Sequence, residues 1–287
     1  MKDFLLLLRP HQWAKNLFCL LPLFFDRKLL EVAYLVPSLW TFLAFCLAAS
    51  GIYCLNDILD VEADRQHAEK RQRPLASGAI GVASARLMMV ACWTGAIGLS
   101  LLVPASACLI GFYILLNIAY CTWLKRFPVI DVFCIASGFV LRVLAGGWAA
   151  DIWVSHWILL MTFLLALFLA LTKRRDDVIR FEATREKVRR NVEQYDVAFL
   201  NHTICIVASI TMVCYIMYTL SADVMERFGS QYVYITSIYV LAGIIRYLMI
   251  TFVDGNACSP TKILLKDRFL QATILGWLVT FAIVLYL

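Results

Sequence analysis

An acidic cluster extends from Asn56 to Asp64, where an apolar stretch long enough to cross a membrane comes to its end. A helix of about 3.6 residues per turn would place Asn56, Asp60 and Asp64 in one row, and Asp57 could join that row from its flank. Oxygen ligands suit a hard cation, and Mg²⁺ commonly combines one or two carboxylates with water and substrate phosphates. The cluster therefore predicts a site for a Mg²⁺-bound diphosphate, with Asp60 and Asp64 as catalytic candidates.

A solvated acidic helix end is the alternative interpretation of the same cluster. Its carboxylates would then form ordinary surface ion pairs with Lys70 and Arg71, which contribute little to stability. Ionisable side chains beside a membrane-spanning segment are costly, however, and this favours a functional site. In such a site, Lys70, Arg71 and Arg73 would neutralise the charge that develops on a departing phosphate. Lys70 and Arg71 are therefore the remaining catalytic candidates.

Charged and amide side chains also flank other apolar segments. Asp131 begins one such segment and could be a further metal ligand, or simply a partner for a basic residue. The candidates for binding the substrate are Arg9, Lys15, Asn16, Arg73, Lys125, Arg126, Arg142, Lys173, Arg174, Asp177, Lys266 and Arg268. The N-terminal members of this set could instead be interfacial anchors, and the charged segment that begins at Lys173 could be a solvated cap.

The composition identifies an all-α integral membrane protein. Hydrophobic residues make up 62% of the chain and charged residues 16%, and the mean hydropathy is +0.78, values outside the range of soluble domains. A spanning helix needs about 20 residues, and nine stretches approach that length: 13–30, 34–57, 83–103, 105–123, 129–149, 154–172, 198–220, 231–252 and 268–286. The first contains Pro22, which predicts a tilted or broken span.

The positions of the basic residues predict the orientation in the membrane. Short cytoplasmic loops collect Lys and Arg. Of the 26 basic residues, 20 lie in the N-terminal segment or in the loops 58–82, 124–128, 173–197 and 253–268. This predicts a cytoplasmic N-terminus, a C-terminus on the opposite side and a multi-pass protein of the inner (cytoplasmic) membrane. The lipid bilayer is then a partner, and nucleic acid is not expected to be one. Small residues such as Gly146 permit close helix packing, so a homo-oligomer stays open.

The motifs together resemble the UbiA superfamily of intramembrane prenyltransferases. The pattern N-D-x-x-D-x-x-x-D ends the second predicted span, Y-x-x-x-x-K-R precedes the fifth, and a polar loop follows the sixth. The resemblance runs from Arg9 to Arg268. It implies nine transmembrane helices around a lateral cavity, in a single domain over residues 1–287.

One departure from that superfamily is informative. Most members carry a second D-x-x-x-D after the sixth span, but position 181, four residues after Asp177, is Phe. In this respect the chain resembles the decaprenyl-phosphate phosphoribosyltransferase branch, whose members show R-P-x-Q-W-x-K-N, P-V-x-D, K-R-x-x-acid and S-P-T…L-L-x-D-R. These motifs correspond here to residues 9–16, 128–131, 173–177 and 259–268.

The resemblance to this branch implies a reaction. Phosphoribose would pass from phosphoribosyl pyrophosphate (PRPP) to a polyprenyl phosphate of the decaprenyl type, with release of pyrophosphate, in the service of cell-wall biosynthesis. Asn56, Asp60 and Asp64 would hold Mg²⁺ on the pyrophosphate, assisted by Asp57 and Asp131. A separate basic pocket would bind the 5-phosphate of the donor.

Two other functions are compatible with the same sequence. One keeps the fold and transfers a prenyl group from a prenyl diphosphate to an aromatic or other small acceptor. The other is a non-catalytic lipid-binding or carrier protein whose charges line a path. Transporters usually bind their substrates near the bilayer midplane, whereas these charges gather toward one surface, which disfavours the carrier.

Overall fold

The computed structural model describes residues 2–66, 70–184, 191–253 and 260–286, and every regular element in these ranges is helical. This agrees with the all-α prediction. Three predicted cytoplasmic loops include ranges outside the described residues: 67–69, 185–190 and 254–259. The chain divides into two compact units, Met1–Leu159 and Leu160–Leu287, which are considered separately.

The first unit is built mainly from long apolar helices that pack around α3. Its α-helices are α1 (Lys2–Leu8), α2 (Leu21–Phe25), α3 (Val32–Leu59), α4 (Val61–Gln66), α5 (Val82–Ser100), α6 (Pro104–Thr122), α7 (Ile130–Ala149) and the start of α8 (His156–Thr184). Helical segments of the tighter 3₁₀ type are Pro10–Leu20, Lys70–Gln72 and Leu124–Arg126. Helix α3 packs against α5, α6 and α7. The core between them is apolar and contains Ala44, Phe45, Ala48, Ala96, Ile110 and Leu141.

The second unit contains the rest of α8 and five further α-helices. These are α9 (Val197–Leu220), α10 (Ala222–Phe228), α11 (Ser237–Phe252), α12 (Pro260–Lys266) and α13 (Arg268–Tyr286), with 3₁₀ helices at Val192–Gln194 and Gln231–Thr236. Helix α11 packs against α9 and α13. Polar side chains connect this bundle as well, because Trp277 donates to the Tyr215 hydroxyl group over 2.6 Å.

Seven helical segments of the described chain are long and apolar enough to cross a membrane. They are Val32–Leu59, Val82–Ser100, Pro104–Thr122, Ile130–Ala149, His156–Thr184, Val197–Leu220 and Gln231–Phe252, and the shorter Arg268–Val284 is also apolar. These eight segments correspond to the second to ninth predicted spans. The first predicted span, 13–30, is different, because it contains the 3₁₀ helix Pro10–Leu20 and the short α2. Nine spans therefore stay a prediction.

Proline explains why residues 13–30 do not form one α-helix. Pro22 has no amide hydrogen and cannot bond to the carbonyl group four residues earlier. The Leu21 amide instead donates to the carbonyl oxygen of Phe18, at the boundary where α2 begins. At the other end, Arg9 has a left-handed backbone (φ 53°, ψ 56°) directly before Pro10, so the chain turns between α1 and the 3₁₀ helix.

The 3₁₀ helix Pro10–Leu20 is 11 residues long, whereas most such helices have about 3–4 residues. It packs against α3 with matching periodicity. A 3₁₀ helix advances about 6 Å in three residues, and an α-helix advances about 6 Å in four. Trp13 donates to Ser50 Oγ over 3.1 Å, and Asn16 donates to Cys46 Sγ over 3.3 Å. Positions three apart on one helix thus meet positions four apart on the other.

The same match holds on the side that faces α7. Asn16 accepts a hydrogen bond from Arg142, and three residues later Cys19 lies against Gly146, four residues after Arg142. A methyl group at Gly146 would collide with the Cys19 carbonyl oxygen, so only glycine allows this approach. Contacts with α3 and α7 therefore hold the segment in its 3₁₀ form.

Candidate active site

The acidic cluster lies at the junction of α3 and α4. The Asp60 amide donates to the Asn56 carbonyl over 3.0 Å, and the Asp64 amide donates to the Asp60 carbonyl over 2.8 Å. The predicted helical spacing is therefore present in the backbone. The side chains, however, form two pairs instead of one row, and each pair is held by its own cation.

The first pair, called here the arginine-bound pair, is Asp57 with Asp64. Arg73 Nη1 lies 2.6 Å from Asp64 Oδ2 and 3.2 Å from Asp57 Oδ1, so one nitrogen serves both carboxylates. Arg9 Nη2 donates to the same Asp57 oxygen over 2.6 Å. The Arg9 guanidinium also lies over the ring of Tyr53, at 5.0 Å. Both carboxylates are buried, which makes these cations necessary to them.

The second pair, called here the lysine-bound pair, is Asn56 with Asp60. Lys125 Nζ lies 3.0 and 3.1 Å from the two Asp60 oxygens and 3.4 Å from Asn56 Oδ1. Lys125 belongs to the 3₁₀ turn between α6 and α7. Asp60 is more accessible than Asp57 and Asp64, with 24% of its side chain exposed. The lysine-bound pair is thus the more hydrated half of the site.

Two carboxylates of this site could together bind one divalent cation. Within the described part of the chain, no group of three or more His, Cys, Asp and Glu side chains is arranged to hold a metal ion. Mg²⁺ needs only one or two carboxylates when substrate phosphates complete its shell. Asp57 and Asp64 satisfy this requirement, because their oxygens converge on a single point.

Asp131, predicted as a further metal ligand, begins α7 and is buried. One of its carboxylate oxygens accepts from the Val132 amide over 2.9 Å. The residue that precedes this helix, Val129, has φ 68° and ψ −51°, and the Ile130 amide donates to the Pro128 carbonyl over 2.8 Å. This is the strained form of the γ-turn, and a β-branched residue rarely adopts it. The motif P-V-x-D therefore sets the start of α7 at the cost of local strain.

Arg142 lies in the middle of α7 and is only 7% exposed. Its guanidinium donates to Asn16 Oδ1, the Gly138 carbonyl oxygen and the Tyr113 hydroxyl over 2.7, 2.7 and 2.8 Å. It also lies over the rings of Tyr113 and Phe139, at 4.7 and 5.3 Å. These partners are neutral acceptors and π faces, and they connect α7 with α6 and the N-terminal 3₁₀ helix. The predicted substrate-binding role of Arg142 is untested, whereas its contacts within the fold are clear.

Four other predicted residues belong to the first unit. Lys70 is half-buried in the turn Lys70–Gln72, and Arg71 beside it is exposed. Lys15 is half-buried on the N-terminal 3₁₀ helix, and Arg126 is exposed. The roles assigned to these four side chains stay predictions. Among the predicted basic residues, Arg73 is the one that contacts both Asp57 and Asp64 in the described part of the chain.

The predicted substrate-binding residues of the second unit lie on α8 and around the start of α13. Arg174 is buried and donates to Asp177 over 3.1 Å, while Lys173 is exposed. Lys266 and Arg268 are exposed. Their predicted roles in substrate binding stay untested.

Several structural partners lie outside the set of predicted site residues. Between Lys266 and Arg268, Asp267 accepts from Arg246 over 2.7 Å, and this guanidinium holds the pKa of the Asp267 carboxyl below its usual range. Tyr113 is a partner of Arg142 from the middle of an apolar helix. A tyrosine inside an apolar segment gives no signal of its own. An intramembrane arginine, in contrast, implies acceptors nearby.

Comparisons with known proteins agree with these features. The model of the UbiA prenyltransferase family matches residues 30–261. The decaprenyl-phosphate phosphoribosyltransferase of Corynebacterium glutamicum is 35% identical to this chain, over 98% of the chain and 86% of that protein. The protein of the same name from Mycolicibacterium smegmatis is also 35% identical, over 97% of the chain and 91% of its own length.

The fold has a similar counterpart among solved structures. A UbiA homologue from Archaeoglobus fulgidus bound to GPP and Mg²⁺ has a TM-score of 0.74 at 21% identity, and the match covers 98% of this chain and 99% of that one. At this identity the likeness is one of fold. With seven long apolar helices and the family match over most of its length, the chain is a multi-pass membrane protein and belongs to the UbiA prenyltransferase family.

Proposed function

We propose that this protein transfers 5-phosphoribose from PRPP to a polyprenyl phosphate of the decaprenyl type and releases pyrophosphate. The observation that carries the proposal is the similarity, over nearly the whole chain, to proteins named decaprenyl-phosphate phosphoribosyltransferase. The residues of the site support it, because three cations form ion pairs with three carboxylates there. A Mg²⁺-bound diphosphate would need carboxylates for the metal ion and cations for the phosphates. The enzyme would then be a pentosyltransferase on the UbiA fold.

In this proposal, the arginine-bound pair holds Mg²⁺ on the donor pyrophosphate, with Asn56, Asp60 and Asp131 as the other candidate ligands. When bound, the metal would draw charge from the departing pyrophosphate. Arg73 contacts Asp64, and Lys125 contacts Asp60. Both cations would stabilise that charge as well.

The acceptor needs no general base. The phosphate of a polyprenyl phosphate is already an anion, and it would add to C1 of the ribose from the face opposite the leaving pyrophosphate. The chain must therefore align two anionic groups and screen their repulsion, and basic side chains beside the acids would do this. Lys15, Lys70, Arg71 and Arg126 are the further candidates for this screening.

The arrangement in the membrane forms part of the same proposal. We infer nine transmembrane helices around a lateral cavity for the lipid tail, in a single domain, with a cytoplasmic N-terminus and the C-terminus opposite. The site would then face the cytoplasm at the inner membrane, where PRPP is available. A homo-oligomer is compatible with this arrangement.

The direct test is to incubate the purified protein with Mg²⁺, labelled PRPP and a polyprenyl phosphate. We expect labelled phosphoribosyl lipid and equimolar pyrophosphate, and we expect neither when a chelator removes the metal. A parallel reaction would offer a prenyl diphosphate and an aromatic acceptor. Turnover there, without turnover of PRPP, would refute the proposal in favour of prenyl transfer. Substrate binding without turnover in either reaction would favour a lipid-binding or carrier protein.

A further inference from the structure

We propose that Arg73 exchanges partners when the donor binds. It leaves the carboxylates of Asp57 and Asp64 as these take up a divalent metal ion, and it turns to the diphosphate of the donor. This inference rests on the proposed function and adds that metal and donor bind in a mutually dependent way.

The position of one nitrogen atom of Arg73 supports this exchange. Arg73 Nη1 lies 2.6 Å from Asp64 Oδ2 and 3.2 Å from Asp57 Oδ1, and thus occupies the point on which these oxygens converge. Magnesium ions lie about 2.1 Å from their oxygen ligands. An ion shared by the same two oxygens would need the oxygen atoms to which the guanidinium now binds. Arg73 and the metal ion therefore compete for these oxygens.

The charge of the site also favours an exchange of partners. Asp57, Asp60 and Asp64 carry three negative charges, and their ion-pair partners Arg9, Lys125 and Arg73 carry three positive charges. A divalent ion alone would leave two positive charges without compensation beside buried groups, which is costly. A diphosphate alone would approach the two buried carboxylates and meet their repulsion. The two ligands together avoid both costs, because Arg73 can then pair with the phosphates.

Arg73 differs from the other two cations of the site in how it is held. Arg9 has a second anchor in the ring of Tyr53, and Lys125 binds a pair that contains only one carboxylate. Arg73 follows the short turn Lys70–Gln72, and 27% of its side chain is exposed, so it can reorient toward solvent. Its planar guanidinium also matches phosphate oxygens in bidentate geometry.

The experiment measures metal binding and needs no turnover. Mn²⁺, as a paramagnetic substitute for Mg²⁺, is titrated into the purified full-length protein with and without PRPP, in the absence of lipid acceptor, and free Mn²⁺ is followed by electron paramagnetic resonance. In the native protein, PRPP should tighten Mn²⁺ binding by about tenfold or more, within the usual range of coupling between ligands. In Arg73→Gln, Mn²⁺ alone should bind several-fold more tightly than in the native protein, while PRPP at saturating Mn²⁺ should bind about tenfold more weakly.

These opposite changes separate an exchange of partners from other roles. Weaker binding of both ligands in Arg73→Gln would indicate a structural role, and unchanged Mn²⁺ affinity would indicate a plain phosphate-binding residue; either result overturns the exchange. Arg65→Gln removes an equal charge from an exposed pair with Glu62 and should change neither affinity.

If Arg73→Gln does not fold, Arg73→Lys replaces it. Loss of the planar fork should weaken PRPP binding several-fold, and unaltered PRPP affinity would refute the exchange. Absence of metal-dependent PRPP binding in the native protein would refute the proposed function itself, and the exchange with it.

Discussion

The hydrogen bond between Arg142 and Asn16 gives a prediction whose size can be worked out from the structure. Arg142 Nε donates to Asn16 Oδ1 over 2.7 Å, and the two side chains are 7% and 1% exposed. Hydrogen bonds with a charged partner contribute about 1.5–3 kcal/mol in proteins, while those between membrane helices average about 0.6 kcal/mol and reach about 1.7. For this buried, charge-assisted bond we expect a coupling energy of about 1–2 kcal/mol.

A double-mutant cycle with Asn16→Leu and Arg142→Met measures this coupling. Asn16→Leu alone should cost about 2–3 kcal/mol, because it leaves a buried guanidinium N–H without its acceptor. Arg142→Met should cost less, about 1–2 kcal/mol, because it also removes the buried charge. Once Met stands at 142, Asn16→Leu should cost only about 1 kcal/mol, so the double variant should be more stable by about 1–2 kcal/mol than the sum of the two losses implies.

Reversible unfolding in mixed detergent and SDS, followed by far-ultraviolet circular dichroism, provides the free energies. The control is Thr94→Val, since the exposed Thr94 hydroxyl bonds only within its own helix, to the carbonyl oxygens of Val90 and Ala91. Its small effect should add to that of Arg142→Met. Additivity of Asn16→Leu and Arg142→Met within about 0.5 kcal/mol would refute the reasoning, because it would mean that this bond does not hold the N-terminal 3₁₀ helix to α7.

Three further predictions concern charged residues. Asp64→Ala and Asp60→Ala should each abolish phosphoribosyl transfer while far-ultraviolet circular dichroism stays unchanged, and near-native turnover in both would mean that the cluster is only surface charge. Lys125→Met should leave the protein folded but reduce kcat/KM for PRPP by about tenfold or more, through loss of a charged hydrogen-bond donor; an unchanged value would exclude Lys125 from the site. The lowered pKa of Asp267 means that its ion pair with Arg246 stabilises the fold above the usual aspartate pKa and is lost as the pH falls through the lowered one. Asp267→Asn, which keeps an acceptor for the Leu270 amide, should therefore be less stable than the native protein at neutral pH and equal to it in strong acid, and a difference that does not shrink in acid would contradict this.

The helical spacing of Asn56, Asp60 and Asp64 could be predicted from the sequence, because backbone geometry alone determines it. The division of the side chains into two pairs could not. It depends on Arg73 and Lys125, which arrive from different parts of the chain, and a helical repeat contains no information about cations outside the helix. The sequence thus predicts the spacing of the acidic residues, while their pairing depends on the fold.

The long apolar helices were predicted for a similar reason. Eight of the nine predicted stretches correspond to apolar helical segments, seven of them long enough to cross a membrane, since hydropathy and length report directly on such helices. The first stretch has another helix type. Pro22 signalled the break, but the 3₁₀ form of Pro10–Leu20 results from contacts with α3 and α7, which a local pattern does not reveal.

The N-terminal 3₁₀ helix also makes the length of this segment as important as its composition. Trp13, Asn16 and Cys19 meet their partners only because they are three residues apart. Inserting or deleting one residue between Trp13 and Asn16 would rotate every later side chain by about 120° and move it about 2 Å along the axis. A point substitution in the segment would remove the contacts of one side chain, whereas inserting or deleting one residue would prevent Arg9 from contacting Asp57 of α3 while Asn16 contacts Arg142 of α7.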